Sequence, residues 1–261
     1  AGDIYRQVIN YYPDSVPAYM NLGNMLAGLQ KFDAAERVYA KARELQPDNP
    51  VLLYNLGNLA RDREDLTLAL EYYQGAVTVA PDYIDAFSNI DILRRRQAVA
   101  LAHNDAGENL AQLGQHEAAL AAYAESLQHW ATYPSAQLNT VDSQAALGRY
   151  AEAVTMCREL LMLDAGAVPA QRRLAWILAT APDESVRRPK EAVALASAAV
   201  SATAGEVPEL LDILAAAQAA SGNFREALDQ VGTAIELAVA QGRNDLLAAL
   251  GKRRDLYEQG R

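Results

Sequence analysis

Positive charge is scarce in this chain of 261 residues: 23 Lys and Arg stand against 33 Asp and Glu, a formal net charge of −10. That balance argues against duplex nucleic acid as a partner, whose affinity rests on neutralising phosphates with Lys and Arg. Cysteine is almost missing. The single Cys157 excludes an internal disulfide and a cysteine-rich metal site, and its place on the apolar face of a predicted helix reads as a buried, inert thiol. Histidine is limited to His103, His116 and His129, and no two stand at i, i+4 with an acidic neighbour as a helical zinc site needs. No apolar run approaches the roughly 18 residues of a membrane-crossing helix. The phosphate-loop pattern G-x-x-x-x-G-K-S/T and the nucleophile turn G-x-S-x-G are both absent. The residues therefore offer no catalytic constellation, and no cofactor is implied.

What the chain has instead is a period. Residues 16–49 read VPAYMNLGNMLAGLQKFDAAERVYAKARELQPDN, and residues 50–83 repeat the pattern. Tyr19 meets Leu53, Leu22 meets Leu56, Gly23 meets Gly57 and Ala35 meets Ala69; Tyr39 meets Tyr73, Ala42 meets Ala76 and Pro47 meets Pro81. Within one copy, Tyr19, Leu22, Gly23 and Leu26 fall at helical spacing, and so do Ala35, Tyr39 and Ala42. A short polar break with a glycine, Gly28 to Lys31, separates the halves. Gly23 and Ala35 are small where two antiparallel helices would cross, and Pro47 ends the second helix. Each copy thus predicts a helical hairpin that needs a stacked neighbour to cover its apolar face.

A 34-residue period with small residues at fixed places and a proline near its end resembles the tetratricopeptide repeat (TPR) family. The resemblance implies an all-α, right-handed superhelical solenoid of helical hairpins, without strands. Residues 1–14 read as half a repeat, because Ala1, Tyr5, Val8 and Pro13 match a second helix whose first helix is missing. The numbering is therefore expected to begin partway through a longer protein. Two full copies complete an N-terminal segment, 1–83.

The period then breaks. Residues 84–99 begin as a first helix, with Phe87 and Ile90 in place, but run on through Arg94, Arg95 and Arg96 into Leu101. From anchor Ala69 to anchor Ala119 the spacing is 50 residues, one period plus an excess of 16. Two forms suit this: one continuous helix over about 84–113, or a separate helix with a bend near Ala100. The absence of proline and glycine between Pro81 and Gly107 favours the first. A C-terminal segment of four looser copies spans 100–241, one of them with an inserted loop at 180–190 that groups Arg187, Arg188 and Lys190. A closing helix over 243–261 places Leu246, Leu247, Leu250 and Leu256 to cover the open end, with Lys252, Arg253, Arg254 and Asp255 toward water.

One polar feature recurs. Asn21, Asn55 and Asn89 share a repeat position, and Asn24 and Asn58 follow three residues on, giving NLGN twice. Asparagine is a mediocre helix former, so its return mid-helix asks for a reason. Either the amides brace neighbouring helices, or they form a ladder along the groove. Over residues 16–92 the motif resembles the TPR superhelix of O-linked N-acetylglucosamine transferase. That resemblance implies asparagines that hold the backbone of an extended peptide, and it brings no glycosyltransferase domain with it. Tyr54, Arg61, Arg95 and Arg96 would then set side-chain preference. The TPR chaperone clamp is a poorer match, since Met20 and Tyr54 stand where its cations belong. The expected function is a non-catalytic scaffold binding a protein or extended peptide in the groove, with self-association through exposed apolar surface at its N-terminal end or along the interrupted helix. The alternatives are the substrate-recruiting region of a larger enzyme, or an assembly scaffold with no groove ligand.

Overall fold

The computed structural model describes residues 2–260, and among them every regular element is an α-helix. Ala1, which opens the half repeat, and Arg261 lie outside the described residues. A lone helix, α1 (Gly2–Tyr11), precedes two hairpins, α2 (Val16–Gly28) with α3 (Phe32–Leu45) and α4 (Pro50–Asp62) with α5 (Leu66–Val79). The place of a third hairpin is taken by one helix of 29 residues, α6 (Ile84–Gln112), about 44 Å long at 1.5 Å per residue. Then come α7 (His116–His129), α8 (Pro134–Ala146) with α9 (Tyr150–Leu163), and α10 (Val168–Thr180) with α11 (Pro189–Ala202). The chain closes with α12 (Pro208–Ala220), α13 (Phe224–Ala240) and α14 (Asn244–Glu258).

Starts and stops follow from local chemistry. Prolines occupy the first turns of α2, α4, α10, α11 and α12, where the missing N–H has no intrahelical partner to lose. The Asn49 side chain accepts from the Val51 and Leu52 amides, and that of Asp65 accepts from the Leu68 amide. Five of the hairpin turns share one closure. The amide of Lys31 reaches back to Leu26, Asp65 to Ala60, Gln115 to Leu110, Arg149 to Gln144 and Asn223 to Gln218, all at 2.8–3.0 Å. Each spans a residue with positive φ: Gln30, Glu64, Gly114, Gly148 or Gly222. This is the Schellman stop. Ala98, 34 residues after Glu64, lies instead within α6, followed by Val99 and Ala100 with no glycine or proline before Gly107.

Contacts divide the chain into two compact units. One runs up to Asp105 and includes Ala124–Tyr133; the other comprises Ala106–Tyr123 and Pro134 onward. In the first unit, Ala86, Ile90, Leu93 and Ala100 bury one stripe of α6, and the Ser126 hydroxyl donates to the Ala100 carbonyl at 2.7 Å. Phe87 does not join that stripe. It is 46% exposed while its neighbour Ala86 is buried, because the buried face of α6 passes one residue earlier.

The tightest packing lies inside the hairpins. A Cβ built on Gly23 would stand 2.6 Å from Cδ1 of Tyr39, and the same distance separates Gly57 from Tyr73 and Gly107 from Tyr123. In later repeats both partners change size together. Val141 packs in one cluster with Cys157, Ala175 with Ala196 and Ala215 with Val231, and all six are buried. Burial pushes the Cys157 thiol up to about 12, so it stays protonated at neutral pH. At the chain's end, α14 covers its neighbours with Leu250 and Tyr257 rather than Leu256, which is 41% exposed. Arg253 is likewise not a free surface cation, since it bonds the Asp212 carboxylate.

Substituting Gly57→Ala should destabilise the protein by about 1–3 kcal/mol, the usual cost of overpacking. Gly232, mid-helix in α13 with nothing within 4 Å, is the control: Gly232→Ala should stabilise by roughly 0.5–1 kcal/mol through helix propensity. Urea unfolding of the two variants measures both, and equal responses would contradict the packing account.

Candidate functional site

The asparagines lie on α2, α4 and the first part of α6, all within the first unit. Their environments divide them. The Tyr39 hydroxyl donates to Asn24 Oδ1 at 2.5 Å, and the Tyr73 hydroxyl donates to Asn58 Oδ1 at 2.7 Å. These two amides therefore tie the first helix of each hairpin to the second. Asn21 is exposed and Asn55 half-buried, and neither makes a hydrogen bond among the described residues. Asn89 is intermediate. Its Nδ2 lies 3.5 Å from the Tyr54 hydroxyl.

An aromatic group backs this face. The Tyr54 ring sits 5.6 Å from that of Tyr73 and 5.2 Å edge-on to Tyr83, within the range of favourable ring pairs. Burial raises the Tyr39 hydroxyl far above its ordinary range and Tyr73 to about 12, against the opposing pull of the Arg61 charge on Tyr73. Two of the three arginines are already engaged. Arg61 bonds the adjacent Asp62 at 2.9 Å, while Arg96 reaches Glu64 at 3.0 Å and the His129 carbonyl at 3.2 Å. These four charged side chains line an open hollow of about 470 Å³ together with Gln30 and Phe32. Arg95 is exposed and makes no ion pair among the described residues. The structure thus gathers Tyr54 and Asn58 around Tyr73, with Asn89 beside Tyr54 and the Arg61 charge acting on the Tyr73 hydroxyl.

A second hollow, in the other unit, has Arg172 and Trp176 of α10 on its lining. Sequence reasoning passed over it. The available signal was two adjacent arginines and a tryptophan on a first helix of an acidic chain.

A tetratricopeptide repeat family model matches residues 3–50, 20–84 and 104–170, more than half of the chain. The chain belongs to the tetratricopeptide repeat family. Its class is that of protein-interaction scaffolds. It is 27% identical over 125 residues to the Photosystem I assembly protein Ycf3 of Rippkaea orientalis (strain PCC 8801 / RF-1), covering 48% of this chain and 64% of that protein. The match thus spans less than two thirds of that relative's length. Among solved structures, the chain is similar to PilW, a widely conserved type IV pilus biogenesis factor, at 18% identity, 90% and 97% coverage and a TM-score of 0.46. It is also similar to YrrB, a TPR protein with an unusual peptide-binding site, at 17% identity, 97% and 100% coverage and a TM-score of 0.33.

The buried tyrosines of the TPR hairpins and of α14 set an alkaline limit. Burial raises Tyr73 and Tyr257 from 10.0 to about 12 and Tyr39 further. Above pH 10 the unfolded chain loses these protons and the folded chain keeps them, so stability present below pH 10 is lost as pH climbs. The melting temperature should stay level to about pH 9.5 and then fall toward pH 12. The Tyr39→Phe, Tyr73→Phe, Tyr257→Phe variant should fall less steeply, and an equal slope in both proteins would contradict the assignment.

Proposed function

We propose that the first unit holds an extended segment of a partner protein along α2, α4 and the first part of α6. The observation that carries this reading is the pair of amides at Asn21 and Asn55, same-position asparagines that no hydrogen bond occupies. An amide that both donates and accepts can pair with a peptide group without reading its side chain. Packed helices lie about 8–10 Å apart, and an extended chain rises about 3.3 Å per residue. One asparagine would then meet every third ligand residue. Asn24 and Asn58 act indirectly, holding the hairpins that present the face. Tyr54, Arg61, Arg95 and Arg96 flank the path, and Arg95 is the one cation of the three that makes no ion pair among the described residues. These residues act by binding alone.

A second reading, an assembly scaffold that works through its edges and α6 with the groove empty, draws on the relative named as a Photosystem I assembly protein. The two separate by experiment. Peptides selected from a random displayed library on the wild-type chain serve as probes, and their affinity is measured against alanine variants. Each single change at Asn21, Asn55 or Asn89 should cost about 0.5–1.5 kcal/mol, and the triple change should nearly abolish binding. The melting temperature should fall more for Asn24→Ala, Asn58→Ala than for Asn21→Ala, Asn55→Ala. Unchanged affinity in the triple variant, or a loss of stability that accounts for all of its weakening, would favour the assembly reading.

A further inference from the structure

The hollow in the second unit has a volume of about 430 Å³ and lies among α8, α10, α12 and α14. Its charges are sorted into pairs with one left over. Arg173 makes two hydrogen bonds to Asp142, at 2.8 and 2.6 Å. Arg253 holds both oxygens of Asp212, through Nε at 2.6 Å and through Nη2. Glu209 pairs with Arg243 at 2.8 Å. Arg172 is half-buried on the same lining, yet it makes no hydrogen bond or ion pair among the described residues. Burial and the neighbouring Arg173 charge both lower its basicity, and Asp142 and Glu209 attract it without bonding it. A partly desolvated cation in this state gains from any anion that reaches it.

One turn on from Arg172, the Trp176 side chain is 37% exposed, with the Arg253 guanidinium 5.6 Å from its ring centroid. The bidentate bond to Asp212 fixes that guanidinium, and the partly exposed indole presents an apolar surface beside the unpaired cation. We propose that this hollow binds an acidic side chain of an extended partner segment at Arg172, with an adjacent apolar or aromatic side chain on Trp176. A single carboxylate suits it better than a phosphate dianion, because Asp142, Glu209 and Asp212 ring the site and repel a second negative charge. The asparagine face of the first unit plays no part in this site.

The test uses the full chain carrying Trp130→Phe, which leaves Trp176 as its one indole because the chain has two tryptophans. The probes are two capped octapeptides of glycine and serine with a central Glu-Phe or Gln-Phe pair. The Glu peptide should change Trp176 emission saturably and bind about tenfold or more tighter than the Gln peptide, as a charge-assisted bond implies. Arg172→Gln should erase that preference without lowering the melting temperature. Trp176→Ala, followed by labelled peptide, should weaken both peptides and keep the preference for Glu. The Asn21, Asn55, Asn89 alanine variant should leave all of this unchanged. Equal affinity for the two peptides, no response to either, a preference that survives Arg172→Gln, or an equal response to sodium acetate alone would each overturn the proposal. So would a drop in stability on Arg172→Gln, which would show Arg172 to be a structural cation.

Discussion

Two helices cross most closely where one of them has nothing at Cβ, and in the first two hairpins and again at Gly107 this protein fills that approach with a tyrosine ring. A glycine inside a helix costs roughly 0.5–1 kcal/mol. A buried aromatic side chain removes about 150–250 Å² from water, a gross gain of about 4–6 kcal/mol at 25 cal/mol per Å². Even after the usual discount for a compact unfolded state, the ring outweighs the glycine. The pair also fixes the angle and depth of the crossing, since any added atom at the glycine would meet the ring. The fully buried Ala35, Ala69 and Ala119 add small residues to the same second helices.

The tyrosine brings a hydroxyl with it, and a buried hydroxyl needs a partner. Asn24 and Asn58 supply it in the first unit. At Tyr123 the place of the asparagine is taken by Glu108; burial first, and then the Glu108 charge, raises the tyrosine hydroxyl above its ordinary range. Packing thus assigns one set of asparagines to the fold and leaves the set three residues earlier unassigned. The proposed function rests on that remainder: side chains at a repeated position, Asn21 and Asn55, that make no hydrogen bond among the described residues.

Much of this was legible in the sequence, and the rest was hidden for definite reasons. The 34-residue period shows plainly where Gly, Tyr, Ala and Pro recur, so the hairpins of residues 16–83 could be read directly. The long helix was legible from what residues 82–106 lack. Later copies blur because other buried pairs fill the crossing: Val141 with Cys157, Ala175 with Ala196 and Ala215 with Val231 hold the same place as Gly23 with Tyr39. The bracing and free asparagines could not be told apart, because positions 21 and 24 lie on one side of the same helix and only the tyrosine of the second helix distinguishes them. At α14 the apolar spacing pointed to Leu256, but the helix phase exposes it and buries Tyr257. The unpaired state of Arg172 depends on how its neighbours pair across helices, which no linear pattern records.

If the hairpins depend on paired volume at the crossing, the pair should be transferable. Val141 and Cys157 occupy the Gly and Tyr places in the fourth hairpin-forming copy, both fully buried in one cluster. A double-mutant cycle with Val141→Gly and Cys157→Tyr, followed by urea unfolding, measures their coupling directly. Each single change should destabilise, one by opening a cavity and the other by overpacking. The double variant should be more stable than the sum of the two by about 1 kcal/mol or more. Strict additivity would contradict the claim that volume complementarity between these two positions organises the fold.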